Sequence, residues 1–296
     1  MDFISFKKHN PDDFGRITIY ICVMEKMQLH PYFEIKGIGA ASGLVYKDNS
    51  LFIVSDNSTF LYEYNLNEKV LHKIKLFEDS QENLAKKDKA DFESITLFDN
   101  KLYLYGSGST KKRDIRVKFD LETKEIKQKD LSKLHKKLRQ TIALNDDELN
   151  IEGIIIDSEN YYLFQRGNGV QAQNGIFTYN KISKNVAFVP IVLPKVKNIE
   201  ATFTDAILVE TKVYFLAACE DTTSTYTDGE IYGSFLGSLD LKTKEVHFVQ
   251  QISDSQKFEG LTLFSETATQ IEFLLCEDND KEELTSTIYK LILEKT

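Results

Sequence analysis

The segment DFESITLF, residues 91–98, places a carboxylate inside a run that otherwise reads as a buried β-strand. Phe92, Ile95, Leu97 and Phe98 suit a sheet interior, and an unpaired Glu93 among them would be costly to desolvate. Four further segments share this shape: AASGLVY at 40–46, NIEGIII at 150–156, NIEATFT at 198–204 and KFEGLTLF at 257–264. Aligned, they place Ser42, Glu93, Glu152, Glu200 and Glu259 in one column, at intervals of 51, 59, 48 and 59 residues. A period of that size marks a repeated supersecondary unit.

Each marker opens the same series of short strands separated by polar turns. The first unit runs LVY, SLFIVSD, FLYEYNL, VLHKIKL; the second SITLF, KLYLYGS, IRVKFDL, EIKQKDL; the third GIIID, NYYLFQR, GIFTYN, VAFVPIVL. The fourth runs TFTDAILV, KVYFLAAC, IYGSFLGSLDL, EVHFVQQI, and the fifth has only LTLF, IEFLLCE and STIYKLIL. The missing outer strand, together with a β-rich start (ITIYICVM, then YFEIKGIG), predicts that the N-terminus completes the last unit. Four-stranded antiparallel units arranged radially and closed in this way form a β-propeller, which leaves only short edges. The expectation is an all-β chain, a single propeller domain over 1–296 with five blades; the alternative is a six-bladed ring with its extra blade drawn from the first 41 residues. One segment departs from strand patterning. In residues 130–150, Leu131, Leu134, Leu138 and Ile142 recur at near-helical spacing among basic residues, predicting a short amphipathic helix. Residues 77–91 form another charged connection.

Composition limits the partners. With a net charge of −9 and a pI near 5.2, the chain lacks the basic surface that nucleic acid or an acidic membrane favours. Cys22, Cys219 and Cys276 are scattered among apolar residues and read as reduced core thiols, not as a disulfide framework or a zinc site. The N-terminus MDFISFKKHNPDDFG lacks the pattern of a signal peptide, and no segment is apolar for long enough to span a membrane, so the sequence as given reads as cytoplasmic.

In a propeller the first strand of each blade lines the central axis, so the marker column becomes a ring. Several glutamates facing one another raise each other's pKa unless something neutralises them. A bound cation does so. An all-oxygen set without His or Cys selects a hard ion, and a roomy ring suits Ca²⁺, with Mg²⁺ as the alternative. On this reading Ser42, Glu93, Glu152, Glu200 and Glu259 are metal ligands. The competing reading has the glutamates bonded to backbone N–H groups or water, with no metal.

A second column lies at the ends of the second strands: Asp56, Ser107 and Arg166, with Cys219-Glu220-Asp221 and Cys276-Glu277-Asp278 in the last two blades. Antiparallel geometry returns these ends to the face that carries the markers. The glycine-rich loops GSGS and RGNG, with Ser107, Ser109, Lys111, Lys112, Arg113, Arg166 and Asn168, can hold an anion through backbone N–H groups and basic side chains. Glu220, Asp221, Glu277 and Asp278 offer acids for a base or a further ligand set.

The axial ring resembles the calcium site of the calcium-activated apyrases, five-bladed propellers that hydrolyse nucleoside di- and triphosphates. The likeness extends to Asp56 in FIVSDNST, Arg166 in LFQRGN and Glu220 in LAACED. It implies a calcium-dependent phosphohydrolase or esterase at the channel mouth, with Asp56, Arg166 and Glu220 as its catalytic residues. Two features depart from the apyrases: Glu200 stands where they have a second serine, and their Trp-containing stretches are missing. The EGI and EGL markers are also similar to those of phytase-like esterase and SdiA-regulated propellers, and the texture of SDNS, GSGS, QRGN and DGEIYGS resembles an uncharacterised bacterial propeller family. Two functions follow as expectations: a metal-assisted hydrolase acting on a small anionic substrate, or a non-catalytic propeller that binds a ligand or protein and is pinned by a structural axial calcium.

Overall fold

The structure is a computed structural model that describes residues 25–85, 87–224, 229–278 and 284–295. Five four-stranded antiparallel sheets follow one another in chain order. Blade one starts with the inner strand Ala41–Lys47, blade two with Phe92–Phe98, blade three with Ile151–Ile156, blade four with Thr202–Val209 and blade five with Phe258–Glu266. In blades one to four each strand pairs with its successor in sequence. In blade five the outermost position is taken by Met27–Lys36, paired antiparallel with Thr285–Glu294. The closing strand is therefore MQLHPYFEIK. The ITIYICVM segment and Cys22 lie outside the described residues. Each inner strand contacts those of both neighbouring blades, blade five meeting blade one, so the ring closes with five blades and not six.

Each blade pair encloses its own apolar cluster, so the core is a ring of seams. Between blades three and four, Phe164, Phe203 and Phe215 form successive edge-to-face contacts, with centroids 5.2 and 5.1 Å apart. Burying one such ring stabilises the fold by about 2 kcal/mol. Cys219 and Cys276 are buried reduced thiols in two of these seams.

Turn chemistry repeats with the blades. Between the inner two strands of blades one and two, Asp48 and Asn49 (φ 50 and 63°) and Asp99 and Asn100 (φ 51 and 55°) form left-handed two-residue turns that match strand twist. Between the outer two strands, Asn65, Asp120, Asn180 and Asp240 each accept the backbone N–H groups two and three residues on. A lysine at positive φ then ends each turn: Lys69, Lys124, Lys184 and Lys244. Blade five has no such turn because its outer strand arrives from the N-terminal part of the chain.

The expected helix spans Ser132–Thr141 and buries Leu138 and His135 beside Leu131 and Leu149. His135 Nδ1 lies 2.7 Å from Asp114 Oδ1, tying the helix to the loop of blade two.

Candidate functional site

All five inner strands carry a β-bulge at the same place, with register breaks at Ala41/Gly43, Phe92/Ser94, Ile151/Gly153, Phe203/Asp205 and Phe258/Gly260. A bulge leaves one residue outside the pairing and re-aims its side chain. The residues so placed are Ser42, Glu93, Glu152, Thr204 and Glu259. This corrects the fourth marker, which is Thr204 and not Glu200. Glu200 sits in a separate hairpin, paired with Lys195 at 3.3 Å and accepting the Leu193 N–H at 3.3 Å. The NIE string of 198–200 matches that of 150–152 but belongs to an insertion ahead of the blade.

The five bulge residues divide into two kinds. Ser42 donates to the carbonyl of Phe92 in blade two, and Thr204 donates to that of Phe258 in blade five at 2.6 Å. Each hydroxyl fastens its blade to the next. The three glutamates line a cavity of about 270 Å³ at the strand-start end of the axis, with residues from all five blades in its wall.

Seven carboxylates (Asp56, Asp91, Glu93, Glu152, Glu220, Glu259 and Asp278) face four cations (Lys89, Arg113, Arg166 and Lys257) across this cavity. The charges form two networks. In blades one and two, Lys89 pairs with Asp56 and lies 3.2 Å from Asp91, which also accepts from Arg113 at 2.8 Å and from the Ser107 hydroxyl at 2.5 Å. In blades three to five, Arg166 bridges Glu152 at 3.1 Å and Glu220, and Lys257 reaches Glu259 at 2.7 Å and Asp278 at 3.5 Å. Glu93 stands between them and has no hydrogen bond or ion pair among the described residues.

Electrostatics follow from this geometry. Burial pushes Glu93 well above the ordinary carboxylate range, and Asp91, Glu152 and Glu259 push it further. Glu259 is raised by burial against the pull of Lys257, and Glu152 by burial against Arg166 and Lys257. Burial outweighs Lys89 at Asp56 and raises it to about 6. At Lys89 burial works downward, and the carboxylates of Asp56, Asp91 and Glu93 overcome it, so the ammonium is held charged.

The loops expected to cradle an anion hold the protein's own carboxylates instead. The YGSGSTKKR loop folds back at Gly106, where a Cβ would come within 2.4 Å of the Arg113 carbonyl, and at Gly108, with φ +81° against His135. That fold directs Ser107 and Arg113 onto Asp91, while Ser109 accepts from Arg113 at 2.7 Å. Arg166 is likewise committed to Glu152 and Glu220, and Glu220 also accepts the Gly229 N–H at 2.9 Å. Asn168 lines the cavity and contacts Asn150 at 3.3 Å. Lys111 and Asp221 are exposed outside it, and Glu277 accepts from Tyr289 at 2.7 Å.

Of the expected site residues the cavity gathers Asp56, Glu93, Arg113, Glu152, Arg166, Asn168, Glu220, Glu259 and Asp278. Sequence reasoning missed Lys89, Asp91, Asn150 and Lys257. Three of these were within reach, because Asp91, Asn150 and Lys257 precede Glu93, Glu152 and Glu259 by two residues, the period at which strand side chains share a face.

One subset suits a cation. Asp56, Asp91 and Glu93 each bring a carboxylate oxygen within 4.8 Å of the others. In the same cavity wall Glu152 is 2% exposed and its Oε2 has no partner among the described residues; Asp56 Oδ1 and Asp278 Oδ1 are also buried without one. These are hard oxygen donors that outnumber the cations paired with them, a set that fits Ca²⁺ or Mg²⁺ better than a bare anion.

A search of curated proteins finds no match to the chain. Among solved structures, the glutaminyl cyclase of Myxococcus xanthus superposes with a TM-score of 0.51 at 10% identity, covering 90% of this chain and 97% of that one. A luciferin-regenerating enzyme superposes with a TM-score of 0.51 at 7% identity, covering 92% and 98%. At these identities the likeness is one of fold. No helix among the described residues is long and apolar enough to cross a membrane. Residues 37–293, spanning all five inner strands and the cavity they enclose, match the DUF6929 model, and the chain belongs to that family of unknown function.

Proposed function

We propose that the axial cavity is a divalent-cation site formed by Asp56, Asp91 and Glu93, and that the cation serves hydrolysis of a phosphate anhydride or ester at the channel mouth. The observation that carries this reading is Glu93, a carboxylate without a hydrogen bond or ion pair among the described residues, in a cavity where acids outnumber bases. A divalent ion there would polarise a phosphoryl or ester oxygen. The chain's own groups supply the rest. Arg113 and Ser107 fix Asp91, and Arg166 fixes Glu152 and Glu220. Asp278, whose Oδ1 is free of partners among the described residues, is placed to accept a proton from water. Arg166 and Glu220 become positioning residues in this scheme, because each is already bound by the other.

The geometry favours a substrate that arrives with or upon a cation over a bare anion, since the basic side chains are already paired. That same pairing also supports a non-catalytic reading, in which the ion only neutralises the axis. Calorimetric titration with Ca²⁺ and Mg²⁺, followed by turnover assays on nucleotides, pyrophosphate and phosphate esters with and without chelator, tests both. Binding with chelator-sensitive turnover supports the hydrolase. Binding without turnover leaves the structural ion, and no binding of either metal overturns the cation reading.

A further inference from the structure

Two cations pair with the carboxylates of the candidate cation site, Arg113 and Lys89, and Lys89 is the one carried by the connection between blades one and two. Glu93 belongs to the inner strand of blade two, Asp91 immediately precedes that strand, and Asp56 follows the second strand of blade one. Lys89 belongs to neither. It lies in the connection between blades one and two, outside any strand, and extends an ammonium onto Asp56 and Asp91 with 9% of its side chain exposed. Asp91 keeps Arg113 and Ser107 when Lys89 is taken away. Asp56 does not: Lys89 supplies its side-chain ion pair, and its Oδ1 has no partner among the described residues.

Resting on the cation reading above, we propose that Lys89 is a tethered counter-ion that occupies the place of the divalent cation, so that lysine and metal exclude one another at Asp56 and Asp91. The physical reason is charge density. The Lys89 ammonium and the Arg113 guanidinium together leave the three carboxylates one charge short of neutrality, and a divalent ion in the ammonium's place makes up that charge while contacting all three. Releasing Lys89 breaks no strand pairing. The connection that carries it is held elsewhere by Leu84, which donates to the Asn57 carbonyl at 2.9 Å, and by the exposed Lys112–Asp88 pair at 2.7 Å. Lys89 thus sets the threshold at which the cavity takes up metal. It favours divalent over monovalent ions, because a single external charge gains nothing over the one already present.

Calcium titration of the wild-type chain and of Lys89→Met and Lys89→Arg tests this, with binding read by calorimetry. Lys89→Met is expected to bind Ca²⁺ at least tenfold more tightly than wild type, to melt at a lower temperature without the ion and to regain stability with it. Lys89→Arg is expected to stay near wild-type affinity. Wild-type binding with unchanged or weaker binding by Lys89→Met overturns the proposal for Lys89 and leaves the cation site standing. Absence of binding by both overturns the two together. Should Lys89→Met fail to fold, the wild-type chain supplies the same answer through amine labelling read by mass spectrometry. Lys89 is expected to label faster when Ca²⁺ is bound, and labelling that is unchanged or slower with Ca²⁺ bound contradicts the proposal.

Discussion

The bulge residues of blades one and four occupy the same backbone position as those of blades two, three and five, yet they do different work. Ser42 and Thr204 turn their hydroxyls onto the neighbouring blade's carbonyl and are absorbed into the ring. Glu93, Glu152 and Glu259 stand in the cavity, where burial and mutual repulsion raise their pKa values. A residue at this bulge is brought to the axis by the fold in every blade. Whether it becomes structure or site depends on its length and charge: a short hydroxyl reaches a carbonyl across the seam, while a carboxylate cannot accept from one and is left facing its counterparts. The three glutamates also differ among themselves. Glu152 and Glu259 each form an ion pair with a basic side chain, and Glu93 forms none among the described residues.

Variants can break this contrast. The largest effect is expected for Arg166→Met, which strips Glu152 and Glu220 of a fully buried partner and should cost about 3–5 kcal/mol in denaturant unfolding. Glu93→Gln acts the opposite way: removal of an uncompensated carboxylate should raise the melting temperature without metal, while calorimetric Ca²⁺ binding is lost. A glutamate that merely packs would instead destabilise the fold when replaced. Next come Ser42→Ala and Thr204→Val, each of which forfeits one hydrogen bond between blades, at about 1 kcal/mol, and should leave cation binding unchanged. The smallest effect belongs to Glu200→Gln. Its pair with Lys195 is largely exposed, so stability should move by less than about 0.5 kcal/mol and metal binding not at all.

Acidity sharpens the comparison between the two kinds of bulge residue, because only the glutamate side titrates. Asp56, raised to about 6 from an ordinary 3.8, and the raised Glu93 and Glu259 retain protons in the folded state at pH values where the unfolded chain has lost them. The contribution of Asp56 to stability is therefore full below about pH 4 and is lost as pH rises through 6, and those of Glu93 and Glu259 are lost as pH rises through their own raised values. A divalent ion opposes that loss, since it favours the ionised form. The rise in melting temperature produced by Ca²⁺ should be larger at pH 7 than at pH 5, and an equal rise at both would contradict the assignment of Asp56 and Glu93 as its ligands.

The fold was legible because burial and turn chemistry are written locally. Short apolar runs such as SLFIVSD and KLYLYGS, the polar turns between them and a fifth unit one strand short were enough to yield five blades closed by an N-terminal strand. The helix over Ser132–Thr141 was legible for the same reason, in its spacing of leucines. Register in blade four was not, because an insertion carrying a second NIE string precedes the strand, and the identity of three residues outweighed spacing. With Thr204 as the marker, the intervals from Glu152 and to Glu259 become 52 and 55 residues, closer to each other than the 48 and 59 given by Glu200. Local similarity misleads where one hairpin is added, since strand register depends on which residue enters the bulge.

The site was legible in most of its carboxylates and in both arginines, and not in its two lysines. Carboxylates in apolar runs stand out, whereas Lys89 and Lys257 lie in polar stretches where a lysine is unremarked, and their burial arises only when distant blades converge. The anion cradle was misread for a related reason. A glycine-rich loop with basic residues signals an anion, but sequence does not say that Asp91 or Glu152 will be the one it holds.

Anomalous scattering from crystals grown with Ca²⁺ or Mn²⁺ tests the central claim most directly. A peak 2.0–2.6 Å or so from carboxylate oxygens of Asp56, Asp91 and Glu93, with the Lys89 ammonium displaced, is the predicted result. Crystals that diffract well in millimolar metal, with Lys89 still seated between Asp56 and Asp91 and no peak on the axis, would contradict it.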